Sequence, residues 1–420
     1  MALAQDAAVM VEPGSIMVVG IGADGWDGLS RTSRTAVEQA DVVFGSARQV
    51  AEVREHCTET RTWPSPLVPN LRPMIDAYAG SRVCVLASGD PMFHGIGVTL
   101  AREFGAHRLL VHPAPSSVSL ACARLGWALQ DTATVSLVNS PVETLLPELA
   151  DGRRILVLSR GSSTPTEIAA VLSANGFGAS DITVLEQLGG PAERVAGGLA
   201  RESTFEGVDP LNVVALLCVR DPDSPRHTRV PGLADSAYTG DGQMTKREVR
   251  ALTLSALAPA PGELLWDIGG GSGTIAIEWM RTDRTCRAAT FESSPARRAQ
   301  IETNALHLGV PGLVVHGGAP ESFAAVSDAA PDAVFIGGGL TGTDMLEACW
   351  GAVRTGGRVV ANSVTAESDS LLLTAAAKYG GELRKFQIYR GEPLGAFTTW
   401  RPQLPVTQWC ATKQLGAITR

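Results

Sequence analysis

The stretch Asp267-Ile268-Gly269-Gly270-Gly271-Ser272-Gly273 decides the reading of this chain. It follows the apolar run 264–268, which has the length and composition of a buried strand, and precedes a helical pattern over 274–280. A glycine-rich turn so placed gathers backbone N–H groups and a helix N-terminus at one point, where an anionic or nucleotide ligand is received. A dinucleotide-binding G-x-G-x-x-G turn puts its third glycine at position 274, which here is Thr274; the glycines stand instead at 269, 271 and 273. Glu292 ends the next apolar run, about 20 residues on, where a carboxylate can bind both hydroxyls of an adenosyl ribose. A tight turn without ligand accounts for the glycines but not for the acid.

The alternation of strand and helix patterns extends on both sides of this loop. Downstream of 243 the spacing predicts a helix from Lys246, strands at 264–268, 288–291, 313–315, 333–336, 358–361, 383–388 and 396–400, and helices at 274–280 and 296–308. The last two strands are joined by the short segment 390–395 without a helix and are expected to form an antiparallel hairpin. Upstream, strands are predicted at 16–21, 42–44, 82–86, 109–111, 155–158, 182–185 and 213–219. Between the two regions, residues 221–242 combine Pro, Gly, Asp and Ser with almost no periodic apolar residue and read as a linker. Thr245 and Glu248 have the spacing of a capping box, while Lys246 and Arg250, four apart, share a helix face able to meet carboxylates or solvent.

Composition narrows the class. At roughly 150 residues per domain, 420 residues make two or three domains. With 45% hydrophobic and 19% charged residues the chain is an ordinary globular one. A net charge of −8 argues against a dedicated nucleic-acid binder, which needs a basic surface to release counterions. The longest apolar runs, such as 213–219, are about a third of the roughly 20 residues that cross a bilayer, and the first residues, with Asp6 and Glu12 and no basic start, do not read as a secretory signal. A cytoplasmic location follows. The seven cysteines stand singly and read as buried small residues, and no H-E-x-x-H or C-x-x-C pattern proposes a metal.

The D-x-G-x-G-x-G loop has the methyltransferase form. Together with Met244-Thr245-Lys246-x-Glu248-Val249-Arg250, Gly318-Ala319-Pro320-Glu321, the Ile336-Gly337-Gly338 turn and Ala361-Asn362-Ser363, it resembles the decarboxylating precorrin methyltransferase domains of cobalamin biosynthesis over residues 243–410. The turn at 337–339 lacks the carboxylate or Asn-Pro-Pro of amino-group methyltransferases, and its glycines also leave backbone room for a large flat substrate. The resemblance implies a Rossmann-like class I fold with a seven-stranded mixed sheet. It also implies S-adenosylmethionine contacts at Thr245, Asp267, Gly269, Gly270, Gly271, Ser272, Gly273, Glu292 and Ala319, and substrate positioning by Thr245, Lys246 and Arg250.

Three further loops end predicted strands in the first half: Gly20-Ile21-Gly22-Ala23-Asp24-Gly25, Ser88-Gly89-Asp90-Pro91-Met92-Phe93, and His112-Pro113-Ala114-Pro115-Ser116-Ser117. With Glu186-Gln187-Leu188-Gly189 and Leu211-Asn212, the set resembles the tetrapyrrole (corrin/porphyrin) methylase family over residues 15–220, departing from it where Ala23-Asp24-Gly25 replaces the usual Pro-Gly-Asp. That likeness implies a class III methyltransferase fold of two α/β subdomains and a second S-adenosylmethionine site contacted by Gly20, Gly22, Gly89, Asp90, Phe93, Ser116 and Ser117. Asp24 reads as a turn residue, and Trp26, Trp127 and Phe93 as core before tetrapyrrole stackers.

Two unrelated methyltransferase folds in one chain imply two methyl transfers to one substrate, tethering raising the local concentration of the intermediate. The paired resemblances imply methylation of precorrin-6B at carbon 5 by the first domain, and methylation at carbon 15 with loss of the ring C acetate carboxyl by the second, giving precorrin-8. An acidic protein that binds a polycarboxylate needs local cations, for which Lys246, Arg247, Arg250 and Arg160 are the candidates. The same chemistry on a cobalt-containing precorrin, a first domain that only binds substrate, and a nucleic-acid methyltransferase are the competing readings. Neighbouring pathway enzymes and a homo-oligomer are the expected partners, with no membrane.

Overall fold

A computed structural model describes residues 14–326 and 330–414; the N-terminal stretch weighed above as a signal lies outside them. The chain divides into two compact units, residues 1–142 with 150–225, and 143–149 with 226–420.

The first unit holds two five-stranded sheets, as the two-subdomain expectation requires. The first sheet is parallel throughout, in the order Thr60–Thr62, Val42–Gly45, Val83–Ser88, Ile16–Ile21, Leu109–His112. Its three central strands, Val42–Gly45, Val83–Ser88 and Ile16–Ile21, are apolar runs because both faces are covered. Ile16 and Val18 pack into one cluster with Val83 and Val85, while Met17, Val19 and Ile21 point the other way and join Cys84 and Leu86. The second sheet runs Ala133–Ser136, Arg154–Leu158, Asn212–Leu217, Asp181–Glu186, Arg194–Leu199, with only the first pair parallel. Three of these ten strands carry no legible pattern in sequence. Thr60–Thr62 is short and polar, Ala133–Ser136 is a short edge, and Arg194–Leu199 (RVAGGL) is an exposed edge strand.

The second unit is built on one seven-stranded mixed sheet, in the order Val314–His316, Arg287–Phe291, Leu264–Ile268, Ala333–Ile336, Arg358–Ser363, Val406–Thr412, Glu382–Phe386. The first five strands are parallel and the last two antiparallel to their neighbours. The expected terminal hairpin is corrected here. Residues 390–395 are not a plain turn: Tyr389–Leu394 is itself a strand and pairs with Phe397–Pro402 in a separate two-stranded ribbon. Glu382–Phe386 pairs instead with Val406–Thr412, which slots in beside Arg358–Ser363.

Part of the segment read as linker is packed into this unit. Tyr238 is buried and its hydroxyl donates to Glu278 Oε1 at 2.9 Å, and the backbone N–H groups of Gly232 and Leu233 reach the same carboxylate at 2.6 and 3.0 Å. Among the described residues no helix is long and apolar enough to cross a membrane.

Candidate functional site

The strand order of the second unit reverses between Leu264–Ile268 and Ala333–Ile336. Open α/β sheets bind ligands outside the carboxyl ends of strands at such a point. A cavity of about 710 Å³ lies there, and its lining includes Asp267, Gly269, Gly270, Gly271, Glu292 and Ala319.

Backbone contact sets the loop. Gly269 has φ +74°, and a Cβ on it would sit 2.7 Å from Gly338 Cα, so the turn after Leu264–Ile268 lies directly on the glycines that follow Ala333–Ile336. Gly337, Gly338 and Gly339 line the cavity, with Gly338 in contact with this loop. Gly271, at φ +58°, similarly faces the carbonyl of Gln243. Ser272 and Gly273 stand behind the loop: Ser272 is buried, its carbonyl accepting from Asn304 Nδ2 at 3.0 Å, and a Cβ on Gly273 would meet Ile301.

Two acids complete the floor. The Glu292 carboxylate is 5% exposed and accepts from the Gly271 N–H at 2.9 Å and the Ser294 N–H at 3.0 Å, which ties the loop to the end of Arg287–Phe291. Asp267 is buried and its Oδ2 has no partner. Burial, with the nearby Glu292 charge adding to it, pushes the Asp267 carboxyl up to about 7. An unpartnered buried carboxylate oxygen demands a donor, and a cationic one best relieves its desolvation. S-adenosylmethionine, which offers ribose hydroxyls to Glu292 and an ammonium group as donor, fits the residues present.

The predicted substrate-positioning residues separate. Thr245 and Lys246 line the cavity, but the capping box does not form: Lys246 is the residue before the helix Arg247–Leu257, with no side-chain cap. Glu248 turns instead to Arg390, at 2.7 Å. Arg250 is a correction. Its guanidinium is wholly buried, donating to Glu278 Oε1 at 2.6 Å, Asp235 Oδ1 at 3.2 Å and the Thr245 carbonyl at 2.7 Å, so it organises the segment before the helix and does not line the cavity. Arg247 is exposed at the helix start, and Arg160, in the first unit, pairs with Glu167. Sequence reasoning missed Arg390, Phe386, Ile388 and Leu404 as cavity residues, because Arg390 falls in the segment expected to be a plain turn, Phe386 and Ile388 in an expected hairpin strand, and Leu404 past the last expected strand.

In the first unit, the loops after Ile16–Ile21, Val83–Ser88 and Leu109–His112 come together. A Cβ on Gly20 would lie 2.1 Å from the Gly89 carbonyl oxygen and 2.7 Å from the Ala114 nitrogen, and one on Gly89 would lie 3.1 Å from the Pro115 oxygen. Gly22 abuts the Asp24 side chain. Asp90 accepts from the Met92 N–H at 2.9 Å, closing a local turn. Ser116 caps the helix Ser117–Leu125 by accepting from the Ser119 N–H at 3.1 Å. Phe93 is 38% exposed and is not core, whereas Trp26 stacks on His56 at 3.8 Å and Trp127 carries Arg154 over its ring.

Comparison with known proteins completes the assignment. Residues 236–413 match the precorrin methyltransferase domain, and residues 15–203 match the tetrapyrrole (corrin/porphyrin) methylases. The chain is 47% identical over 404 residues to the precorrin-6Y C(5,15)-methyltransferase (decarboxylating) of Mycobacterium tuberculosis, which covers 95% of this chain and 100% of that one. Two shorter relatives are each 30% identical. One is the cobalt-precorrin-7 C(5)-methyltransferase of Salmonella typhimurium, matched over 43% of this chain and 88% of its own length. The other, named as a probable cobalt-precorrin-6B C(15)-methyltransferase (decarboxylating), from Saccharolobus solfataricus, is matched over 36% and 78%. With a relative of that identity matched over its whole length, and both halves accounted for, this chain belongs to the family of decarboxylating precorrin-6Y C(5,15)-methyltransferases.

Proposed function

We propose that the chain methylates carbons 5 and 15 of precorrin-6B, also called precorrin-6Y, and removes carbon dioxide from its ring C acetate to give precorrin-8X in cobalamin biosynthesis. The observation that carries this reading is the pocket at the strand-order reversal, with its unpartnered Asp267 and loop-bound Glu292, on a chain 95% of which is matched by a relative of that name. The metal-free substrate is favoured because the full-length match bears the metal-free name, while the cobalt names belong to partial matches.

In this reading each unit holds one S-adenosylmethionine, which supplies an electrophilic methyl group. The second unit methylates carbon 15 and decarboxylates; the first methylates carbon 5. That division is supported by the two shorter relatives, one named for each transfer and each matching less than half of this chain. Glu292 holds the ribose and Asp267 receives a donor of the cofactor. The glycine loop presents backbone N–H groups without side-chain bulk. A meso carbon of a reduced tetrapyrrole is enamine-like, so the protein's task is to hold it in line at near-attack distance and needs no protein nucleophile. Decarboxylation leaves its electron pair in the conjugated macrocycle until a proton taken up from solvent completes the ring C methyl group, so the chain's residues orient the acetate and partly desolvate it.

Mass spectrometry of the product formed by the intact chain from precorrin-6B and S-adenosylmethionine tests the proposal. Two methyl gains and the loss of one carbon dioxide are expected. A single methylation by the intact chain overturns the two-transfer reading, and an unchanged substrate overturns the substrate assignment.

A further inference from the structure

Three cations line the cavity of the second unit among the described residues: Lys246, Arg297 and Arg390. Arg297 is committed, holding Asp241 at 2.8 Å and Gln243 Oε1 at 2.7 Å. Arg390 is only half engaged. Its Nη2 meets Glu248 Oε2 at 2.7 Å, with Asp235 at 3.9 Å, while its Nε is buried and has no partner. A guanidinium offers two edges to carboxylates, and here one donor of that fork is unmet. Lys246 makes one long contact, to the Gly242 carbonyl at 3.3 Å. Beside these cations the lining turns apolar, with Met244, Ile388 and Leu404, the last 71% exposed. An apolar lining edged by two incompletely paired cations matches a macrocycle with carboxylates on its rim.

We propose that Arg390 and Lys246 form the carboxylate-binding edge that positions the tetrapyrrole in the second unit, and that Glu248 occupies Arg390 until a substrate carboxylate replaces it. This rests on the functional reading above. A partly exposed ion pair contributes little to stability, and a buried unpartnered donor detracts from it, so stability alone does not account for the arrangement. Glu248 meets the guanidinium with a carboxylate, the same group a substrate side chain would bring. Arg390 is thus a positioning residue, contributed by the ribbon Tyr389–Leu394 with Phe397–Pro402.

The test uses the full chain with Arg390→Gln, Arg390→Lys, Lys246→Gln and Glu248→Gln. KM and kcat for precorrin-6B are followed by mass spectrometry, and S-adenosylmethionine affinity by calorimetry. Arg390→Gln is expected to raise KM by about tenfold or more, the worth of one charge-assisted contact, with cofactor affinity unchanged. Arg390→Lys should recover part of that loss, and Lys246→Gln should raise KM. Glu248→Gln should lower KM, because it removes the resident competitor. An unchanged KM in Arg390→Gln, or a rise in KM for Glu248→Gln as large as that for Arg390→Gln, overturns the proposal and leaves the pair a clamp between helix and ribbon. Should Arg390→Gln fail to fold, opposite KM changes in Lys246→Gln and Glu248→Gln support it, and changes in one direction or none overturn it. A wild-type chain that leaves precorrin-6B untouched overturns the functional reading and this site together; a wild-type chain that consumes it while the variants behave alike overturns this site alone.

Discussion

In the second unit the loop after Leu264–Ile268 is flanked by two buried carboxylates, Asp267 and Glu292; in the first unit the acids on the converging loops, Asp24 and Asp90, are not buried, and Asp90 closes a local turn. The second unit therefore presents ionisable side chains to its cavity. The first presents backbone, because Gly20, Gly89 and Ala114 approach so closely that only main-chain atoms fit between them. In the functional reading proposed above, one cofactor would be addressed in two physical ways: by charge held in a low-dielectric floor, and by N–H and C=O groups fixed where three strands end.

Substitutions that fill the close approaches should have the largest effect. Gly20→Ala places a Cβ 2.1 Å from a carbonyl oxygen, and Gly269→Ala places one 2.7 Å from a backbone carbon at a positive φ. Each should abolish one methyl transfer and spare the other, read as a single methyl gain by mass spectrometry. Carbon dioxide loss should persist in Gly20→Ala and vanish in Gly269→Ala. If either variant loses both transfers, the two sites do not act independently.

Glu292→Gln comes next. It should weaken one S-adenosylmethionine site by roughly ten- to a hundredfold, the worth of a hydrogen bond to a charged group, and leave the other untouched in a calorimetric titration. A single class of sites in the wild-type titration would break the comparison at its root.

Asp267 sharpens it through pH. Its folded carboxyl titrates near 7, above the roughly 3.9 of an unfolded Asp. Between those values the unfolded chain loses the proton first, so the stability of the ligand-free second unit should fall as pH rises from about 4 to about 7. Asp267→Asn should remove that slope in urea unfolding followed across this range. An unaltered slope would assign the dependence to other groups. The smallest effect is expected in the first unit, where Ser116→Ala removes a helix cap and should cost about 1 kcal/mol with little change in cofactor affinity if the site is made of backbone.

Most of the architecture was legible in the chain itself. The runs 16–21, 264–268 and 333–336 appear as strands with the expected bounds, because strands covered on both faces are continuous apolar segments. The glycine spacing and Glu292 pointed to the cavity for a local reason: a turn with those φ values needs glycine, and the acid ends the neighbouring strand. Polar edge strands and the ribbon were not legible, since half-exposed pairing leaves a weak pattern. Val406–Thr412 was missed because its place is set by partners far away in sequence.

By itself, then, the sequence determined the two α/β regions and the glycine-rich loops at their strand ends, because periodicity and turn chemistry act over a few residues. Tertiary structure alone decided what each charge does. Arg250 has the spacing of an exposed helix face, yet Glu278, 28 residues on, draws it into the core; Arg390 meets Glu248 across 142 residues and so reaches the cavity. Helix spacing states which side a charge occupies. Which carboxylate waits on that side, and whether water does, follows only once the elements have packed.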